Sequence, residues 1–206
     1  MPDVSSLFVG VDLDYTLFDT DNFFYGAVLP LLIHTFPQMG TNESFKSQME
    51  QYRQSHGPAT SYDLFHHLQD LKIDTSAAEE LIRTTVSGNQ YLLPGAEAFI
   101  HLQQQRRHNL QIITVGGMRF QTLKIQAVPA LEGIESHIIQ ESKGHFIAHS
   151  FPKAHGYMLD DTKIEGLPDT ISQLHIQSHK SNHGSEAFQY DSLLQVLEQG
   201  PAELLK

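Results

Sequence analysis

Short apolar runs alternate with amphipathic, helix-like segments along most of the chain. The first run begins at Leu7 and ends at Asp12, and four later runs have a similar character: Leu110–Thr114, Ser136–Gln140, Tyr157–Asp160 and Leu174–Gln177. Such short apolar runs are typical of buried parallel strands. The helix-like segments between or after them are Ala96–Arg107, Arg119–Ala127 and Leu193–Leu197. The pattern predicts an α/β fold in which helices flank a parallel sheet.

One stretch departs from this alternation. From residue 20 to residue 92 the apolar positions recur with helical spacing, and proline or glycine residues separate the segments. The predicted helices are Phe23–Thr35, Asn42–Gln54, Ser61–Leu71 and Ser76–Ser87. We therefore expect two domains: an α/β core of residues 1–19 and 93–206, and a small all-α insert of residues 20–92 after the first strand.

Composition excludes several classes of protein. The 206 residues are 40% hydrophobic and 18% charged, which suits a chain that buries a core. The formal charge of −11 would repel a nucleic acid backbone, so we expect no nucleic acid polymer as a partner. The absence of cysteine excludes disulfides, thiolate metal ligands and a cysteine nucleophile.

No segment suits a membrane or an export signal. The longest apolar stretch, Ala27–Ile33, contains Pro30 and is far shorter than the roughly 20 residues that cross a bilayer. The first residues lack the basic segment of a signal peptide and lead directly into a predicted strand. We therefore expect a cytoplasmic protein that does not bind a membrane.

Two carboxylates, Asp12 and Asp14, follow the first predicted strand. In open sheets of this kind the ligand lies beyond the carboxyl ends of the strands, where these residues are expected. If the segment stays extended, both acids project to one side while Leu13 projects to the other. The pair could then share a divalent cation or a phosphoryl group.

The segment Phe8–Phe18 resembles the first motif of the haloacid dehalogenase superfamily. The resemblance covers about residues 5–20 and 93–180, and it implies a Rossmann-like doubly wound core with a helical cap inserted after the first strand. It also implies that Asp12 attacks the phosphorus of a substrate to form an aspartyl-phosphate. Asp14 would protonate the leaving oxygen and then deprotonate water, and its backbone carbonyl would bind Mg²⁺.

The segment Ile112–Gly117 is similar to the second motif of that family, an apolar strand that ends in Thr or Ser. By this resemblance the Thr114 hydroxyl holds a phosphoryl oxygen, and Thr16, Val115 and Gly116 are further phosphate contacts. The glycines leave backbone amides exposed ahead of a predicted helix, which favours an anion.

The segment Tyr157–Thr162 resembles the fourth motif, whose acids complete the magnesium site. The more usual Gly-Asp-Gly form is absent, and the double acid is similar to that of the deoxyribonucleotidase branch. Two adjacent side chains point in different directions. We therefore expect Asp160 to contact the metal and Asp161 to act behind it or through water.

The third motif of the family supplies a lysine that balances the carboxylates and the phosphate. Lys143 follows the third predicted strand and should lie at the catalytic edge of the sheet. Lys153 precedes Asp160 by only seven residues, so the strand would carry it toward the opposite edge. We prefer Lys143 for this role, with Lys153 as the alternative, and we interpret Lys153 and Lys163 as exposed surface charges.

Together these residues predict a magnesium-dependent phosphatase that hydrolyses a small soluble phosphate monoester, either a nucleotide or a sugar phosphate. The predicted cofactor is Mg²⁺, and its predicted ligands are Asp12, Asp14, Asp160 and Asp161. The predicted catalytic set adds Thr114 and Lys143 to the first two acids, and Lys143 also contacts the phosphate. Insert residues that could line the substrate pocket are Tyr25, His34, Arg53, His56 and Tyr62.

Other functions stay open at this point. Dehalogenation would leave Asp14 and the double acid without a role. Phosphonate cleavage would need a Schiff-base lysine, and the insert lysines Lys46 and Lys72 lack the apolar setting that such a lysine requires. A sugar phosphate mutase, or a binding protein without catalysis on the same fold, is the further alternative.

Overall fold

The structure is a computed structural model that describes residues 6–56, 62–177 and 189–205. Its strands are β1 (Phe8–Val11), β2 (Asn109–Val115), β3 (Glu135–Ile139), β4 (Gly156–Asp160), β5 (Ile171–Ile176) and β6 (Gln189–Tyr190). They form one sheet in the order β3-β2-β1-β4-β5-β6, and every pairing is parallel. The predicted α/β fold with a doubly wound parallel sheet is confirmed.

The outer strands differ most from the sequence prediction. β6 has no counterpart in the apolar pattern, because a strand of two residues is too short to show a period. β5 begins at Ile171, three residues before the predicted start at Leu174. Ile171 is buried and pairs with Gly156, but the polar residues Ser172 and Gln173 hide this start in the sequence.

The helices are α1 (Leu29–Thr35), α2 (Asn42–His56), α3 (Leu64–Asp70), α4 (Thr75–Thr85), α5 (Ala96–Gln105), α6 (Met118–Ala127), α7 (Lys143–Ser150), α8 (Leu193–Gln199) and α9 (Ala202–Leu205). A π-helical segment, Asn22–Val28, leads directly into α1. The predicted start of a helix at Ser61 lies outside the described residues, and α3 begins at Leu64 after Asp63, whose carboxylate accepts the His66 amide. None of the helices in the described part of the chain combines the length and hydropathy of a membrane span.

The described residues group into two compact units. The first unit comprises Met1–Asp19, Asn89–Val115 and Gly133–Lys206, and it contains the sheet. The second unit comprises Thr20–Gly88 and Gly116–Glu132. Helix α6 therefore groups with the helices of the insert, although the sequence prediction places it in the core domain. The predicted domain limits after residues 19 and 92 stay a prediction.

Arg119 joins α6 to two insert helices within the second unit. Its Nε donates to Oε2 of Glu79 at 2.8 Å, and its Nη1 donates to the hydroxyl of Thr75 at 3.2 Å. The guanidinium also lies over the Phe65 ring of α3, 4.2 Å from the centroid. Three helices thus share one arginine side chain, which accounts for the grouping of α6 with the insert.

The order of the sheet fixes where a ligand can bind. β1 is buried at all four positions, and β2 and β4 flank it on its two sides. The chain runs outward from β1 through β2 to β3 and then returns to the other side of β1 with β4. Beyond the carboxyl ends of strands at such a reversal lies the crevice in which α/β proteins bind ligands. Asp12 follows β1 and Asp160 ends β4, so both lie at this crevice.

Gly156 allows β4 to begin close to β1. A Cβ atom at this position would lie 2.0 Å from the carbonyl oxygen of Phe8, and the backbone φ of +149° is one that side chains rarely adopt. The close approach therefore requires glycine.

We expect Gly156→Ala to lower the free energy of unfolding by about 1–3 kcal/mol, because the added methyl group forces the backbone of two paired strands apart. Gly133→Ala is the matched control: φ there is +78°, but no atom lies within 4 Å of the added carbon. The control should lose only about 1 kcal/mol from backbone strain. Urea unfolding of both variants measures the difference, and equal losses would contradict the steric argument.

Candidate active site

A cleft of about 530 Å³ opens at the carboxyl edge of the sheet in the first unit. This volume is in the range of small-molecule binding sites. The residues that line it are Asp12, Asp14, Thr114, Val115, Ser142, Lys143, Asp161, Thr162, Lys163, Ile164 and Glu165. They come from the ends of β1, β2 and β4 and from the beginning of α7, as the crevice at the strand reversal requires.

Lys143 lies between two buried carboxylates. Its Nζ is 2.8 Å from Oδ1 of Asp12 and 2.5 Å from Oδ2 of Asp160. The lysine is the first residue of α7, and the hydroxyl of Ser142 caps this helix by accepting the amide of His145. The geometry therefore gathers side chains from three separate parts of the chain around one ammonium group.

Burial dominates the electrostatics of this cluster. It raises the pKa of the Asp12 carboxyl to about 8, with Asp160 and Asp14 acting in the same direction and Lys143 in the opposite one. Burial works against the Lys143 ammonium, but the charges of Asp12 and Asp160 outweigh it and raise the pKa of this lysine. Burial, and then Asp160, raises the pKa of Asp161 to about 6. Lys143 thus stays charged, and the acids around it favour a proton or a cation.

Asp12 is still held by the sheet, because its amide donates to the carbonyl of Leu159 at 2.9 Å, and a tight turn follows it. The carbonyl of Leu13 accepts the amides of Leu17 and Phe18 at 3.1 and 2.9 Å, so the chain turns within Leu13–Phe18. Leu13 is fully buried, and both acids still line the cleft. That both acids project to one side of an extended segment stays a prediction.

Of the other residues predicted to contact phosphate, some line the cleft and others do not. Thr114 is buried at the end of β2 and lines the cleft, and Val115 beside it is 43% exposed and lines the cleft as well. Thr16 is buried and is not among the residues that line the cleft. Gly116 follows Val115 in the chain but groups with the second unit. The phosphate contacts of Thr16 and Gly116 stay predictions.

Three carboxylates form a set that could hold a metal ion. Asp12, Asp160 and Asp161 each offer one oxygen, and these oxygens lie within 4.8 Å of one another. Asp14 lines the same cleft without belonging to this set. A set made only of oxygen donors suits a hard divalent cation such as Mg²⁺. The residues present therefore fit the predicted cofactor.

Both carboxylate oxygens of Asp160 have contacts that fix the side chain. Its Oδ1 accepts the amide and the hydroxyl of Thr162 at 2.8 and 2.6 Å, while Oδ2 contacts Lys143. Asp161 is only partly buried. The sequence assigned the metal contact to Asp160 and an indirect role to Asp161, and the structure places both within reach of a common ion.

The two candidate lysines of the third motif lie near opposite ends of β4. Lys143 lies in the buried cluster, whereas Lys153 is exposed in the turn before the first residue of β4. Lys153 is not among the residues that line the cleft. The prediction that β4 separates Lys153 from Asp160 along its length agrees with this placement.

Sequence reasoning missed part of the cleft. Lys163 and Glu165 line it although they are exposed, and so does the partly buried Ile164. All three follow Asp160-Asp161 at the carboxyl end of β4, which is the signal that could have identified them. Lys163 was instead interpreted as a surface charge.

The predicted substrate-selecting residues of the insert remain predictions. The side chains of Arg53 and His56 lie outside the described part of the structure. Tyr25, His34 and Tyr62 belong to the second unit, where Tyr62 Oη lies 2.9 Å from Nδ1 of His67.

Comparison with known proteins finds similarity in fold but none in sequence families. No protein-family profile matches the sequence, and no curated protein matches it. Solved structures do match over nearly the whole chain. A haloacid dehalogenase-like hydrolase of Burkholderia xenovorans LB400 has 16% identity and a TM-score of 0.71, with 98% of this chain and 99% of that chain covered.

Two further structures agree with this result. A haloacid dehalogenase-type phosphatase of Thermococcus onnurineus has 11% identity and a TM-score of 0.70, covering 93% of this chain and 96% of its own. A hydrolase of the same type from Bacillus subtilis, whose structure contains magnesium, has 13% identity and a TM-score of 0.64, covering 95% and 98%. The chain therefore has the fold of the haloacid dehalogenase-like hydrolases. The similarity of the fourth motif to the deoxyribonucleotidase branch stays a prediction.

The raised pKa of Asp12 has a measurable consequence for stability. Its folded-state pKa of about 8 exceeds the ordinary value of 3.8, so the folded protein binds a proton that the unfolded chain releases between these values. Without metal, this group should stabilise the protein fully below pH 4 and lose its contribution as pH rises through 8. We expect Asp12→Asn to reduce the loss of thermal stability between pH 5 and pH 8. Thermal unfolding in a chelator measures it, and parallel pH profiles for both proteins would refute the expectation.

Proposed function

We propose that this protein is a magnesium-dependent phosphatase that hydrolyses a small soluble phosphate monoester through an aspartyl-phosphate on Asp12. The observation that carries the proposal is the position of the Lys143 ammonium between the carboxylates of Asp12 and Asp160, in a cleft that Asp14 and Thr114 also line. The fold of haloacid dehalogenase-like hydrolases supports it. A nucleotide or a sugar phosphate is the proposed substrate.

The first half of the reaction forms the covalent intermediate. Lys143 contacts Oδ1 of Asp12, and we assign the attack on phosphorus to Oδ2. As the new bond between Oδ2 and phosphorus forms, the bond between phosphorus and the ester oxygen breaks. Asp14 gives its proton to that oxygen, so that the alcohol leaves neutral.

The second half of the reaction regenerates the enzyme. Asp14, now a carboxylate, takes a proton from a water molecule, and the water oxygen bonds to phosphorus. The bond between phosphorus and Asp12 then breaks, and inorganic phosphate leaves. One acid can serve both steps because Asp14 lies two residues after the nucleophile and lines the same cleft.

Lys143 and Thr114 would stabilise the transferring group. The ammonium offers charge-assisted hydrogen bonds to phosphoryl oxygens, and the Thr114 hydroxyl at the end of β2 offers another. The attachment of Lys143 to Asp12 and Asp160 fixes the ammonium before the substrate binds. Preorganised charge of this kind favours the transition state without reorganisation during the reaction.

Asp12, Asp160 and Asp161 would hold the magnesium ion, with the carbonyl of Asp14 as the further ligand that the resemblance implies. When bound, Mg²⁺ supplies positive charge that lowers the repulsion between the carboxylates and an anionic substrate. Four acids, Asp12, Asp14, Asp160 and Asp161, outnumber the two lysines of the cleft, Lys143 and Lys163. A bound cation is therefore needed before a phosphate dianion can enter.

We expect release of phosphate from an aryl phosphate by the wild-type protein in the presence of Mg²⁺, and its loss in a chelator. Asp12→Asn should reduce turnover by more than about 1000-fold, because an amide is a poor nucleophile and a poor metal ligand. A colorimetric phosphate assay measures both effects. Retained turnover in Asp12→Asn would exclude the covalent mechanism, and a wild-type protein that binds phosphate without turnover would favour a binding protein.

The two lysines at the ends of β4 provide the second test. Lys143→Ala should weaken both phosphate affinity and turnover, because it leaves two buried carboxylates without a cation where more negative charge must enter. Orthovanadate should lose affinity in parallel. Lys153→Ala should match the wild type, since it removes an exposed side chain outside the cleft. Inactivity of Lys153→Ala with an active Lys143→Ala would reverse the assignment.

A further inference from the structure

We propose that His67 is the centre of a pH-sensitive contact between α2 and α3, and that protonation of this histidine in mildly acidic conditions detaches α2 locally. The contact lies within the second unit, away from the cleft residues to which the phosphatase chemistry is assigned. Its physical basis is a buried imidazole that must stay neutral for the two helices to remain together.

Few side chains anchor α2. The helix has 15 residues, and among its described side chains the buried ones are Phe45, Met49 and Tyr52. Their spacing of four and three residues makes one narrow apolar stripe on an otherwise polar helix. An isolated helix of this length is marginal in water, so the stability of α2 depends on the contacts of this stripe.

Two of the three anchoring side chains stack on one histidine of α3. The centroid of the His67 ring lies 5.0 Å from that of Phe45 and 5.4 Å from that of Tyr52, with interplanar angles of 23° and 27°. The Nδ1 atom of His67 lies 2.9 Å from Oη of Tyr62, and the residue is only 4% exposed. His67 is therefore the side chain of α3 on which the attachment of α2 is centred.

Burial disfavours the charged form of this histidine. It lowers the pKa of His67 below the ordinary value of 6.5, and the charge of Asp70 acts in the opposite direction. Asp70 is exposed, so water screens its charge. The faces of the Phe45 and Tyr52 rings also attract a cation, but we expect the loss of water around the imidazolium to outweigh this attraction.

The other groups around His67 are neutral in the relevant pH range or lie on another side. Tyr52 from α2 is a phenol whose pKa is raised by burial, and Tyr62 before α3 is a phenol as well. Phe24 of the π-helical segment lies 6.5 Å from Phe45 and carries no charge. The neighbouring His66 is exposed, and its Nδ1 lies 2.8 Å from Oη of Tyr52.

The charged groups of the remaining neighbouring helices meet α3 at a different residue. Arg119 of α6 is paired with Glu79 of α4, and its guanidinium lies over the ring of Phe65. Phe65 and His67 are two positions apart on α3 and therefore face different directions. Within the described residues, Asp70 is thus the acid that acts on His67 from α3 itself.

The sign of the pH effect follows from this environment. When α2 detaches, water reaches His67 and its pKa returns to about 6.5, so the detached form binds a proton that the closed form lacks. The contact has its full strength above pH 6.5 and weakens as the pH falls from there toward the lowered pKa. One proton raises the opening constant by at most about tenfold per pH unit. The same opening removes the contact with Tyr62, a residue predicted to line the substrate pocket.

Hydrogen–deuterium exchange of the full chain between pH 7.5 and pH 5 tests the proposal, after correction for the intrinsic pH dependence of exchange. Protection of the α2 amides should fall several-fold to about tenfold below pH 6.5, without a parallel fall in β1 and β2. His67→Phe keeps a stacking ring without a titrating group, so its α2 protection should not depend on pH. His66→Gln is the matched control, because it removes the adjacent exposed imidazole, and it should keep the fall seen in the wild type.

A titration of the histidine ring resonances by NMR needs no variant and gives an independent result. The His67 resonance of the wild type should report a pKa below 6.5. A value above 6.5, or α2 protection that rises as the pH falls, would show that the ring faces and Asp70 outweigh burial and would overturn the proposal. An equal fall in protection in His67→Phe and the wild type would overturn it as well, because another group would then be the sensor.

Discussion

The buried contact of Lys143 with Asp12 and Asp160 is the constraint on which the site depends. Taking charged groups out of water costs several kcal/mol per ion, and mutual attraction offsets this only when the geometry is good. The three residues come from the ends of β1 and β4 and from the start of α7, so the parallel order of the sheet must be correct before they can meet. A fold selected only for stability would place apolar residues here. The cluster is therefore better explained by chemistry than by stability.

The central strands of the fold can be predicted from the sequence, whereas some peripheral elements cannot. β1, β2 and β4 are mostly apolar and mostly buried, and such runs are visible without a structure. α7 is not visible in this way. It is eight residues long, it contains Gly144 and two exposed histidines, and its burial depends on the sheet face that carries Phe8 and Met158. A helix that is stabilised mainly by contacts with residues distant in the sequence leaves little signal in its own sequence pattern.

The residues of the site also divide into those that the sequence identifies and those that it does not. Asp12, Asp14, Thr114 and Lys143 could be selected because each lies at or shortly after the end of a predicted strand, and the structure brings them to one cleft. Lys163 was interpreted as a surface charge by default, whereas the structure places it in the lining of the cleft. The backbone on both sides of Lys163 is fixed by Gln173 of β5, which lies ten residues further along the chain. A hydrogen-bonding partner of backbone groups cannot be recognised from residue type alone.

The second unit is built from two stretches of chain that the first unit separates. Gly88 donates its amide to the carbonyl of Ala127 at 2.7 Å, and Arg119 supplies contacts to Glu79 and Thr75. During synthesis, the helices of the insert must wait for Gly116–Glu132 to leave the ribosome before their surface is complete. An engineer who exchanges the insert for that of another protein must exchange α6 as well. The unit is compact in space but consists of two separate stretches of the sequence. Recombination at the two ends of Thr20–Gly88 would therefore transfer the unit without α6.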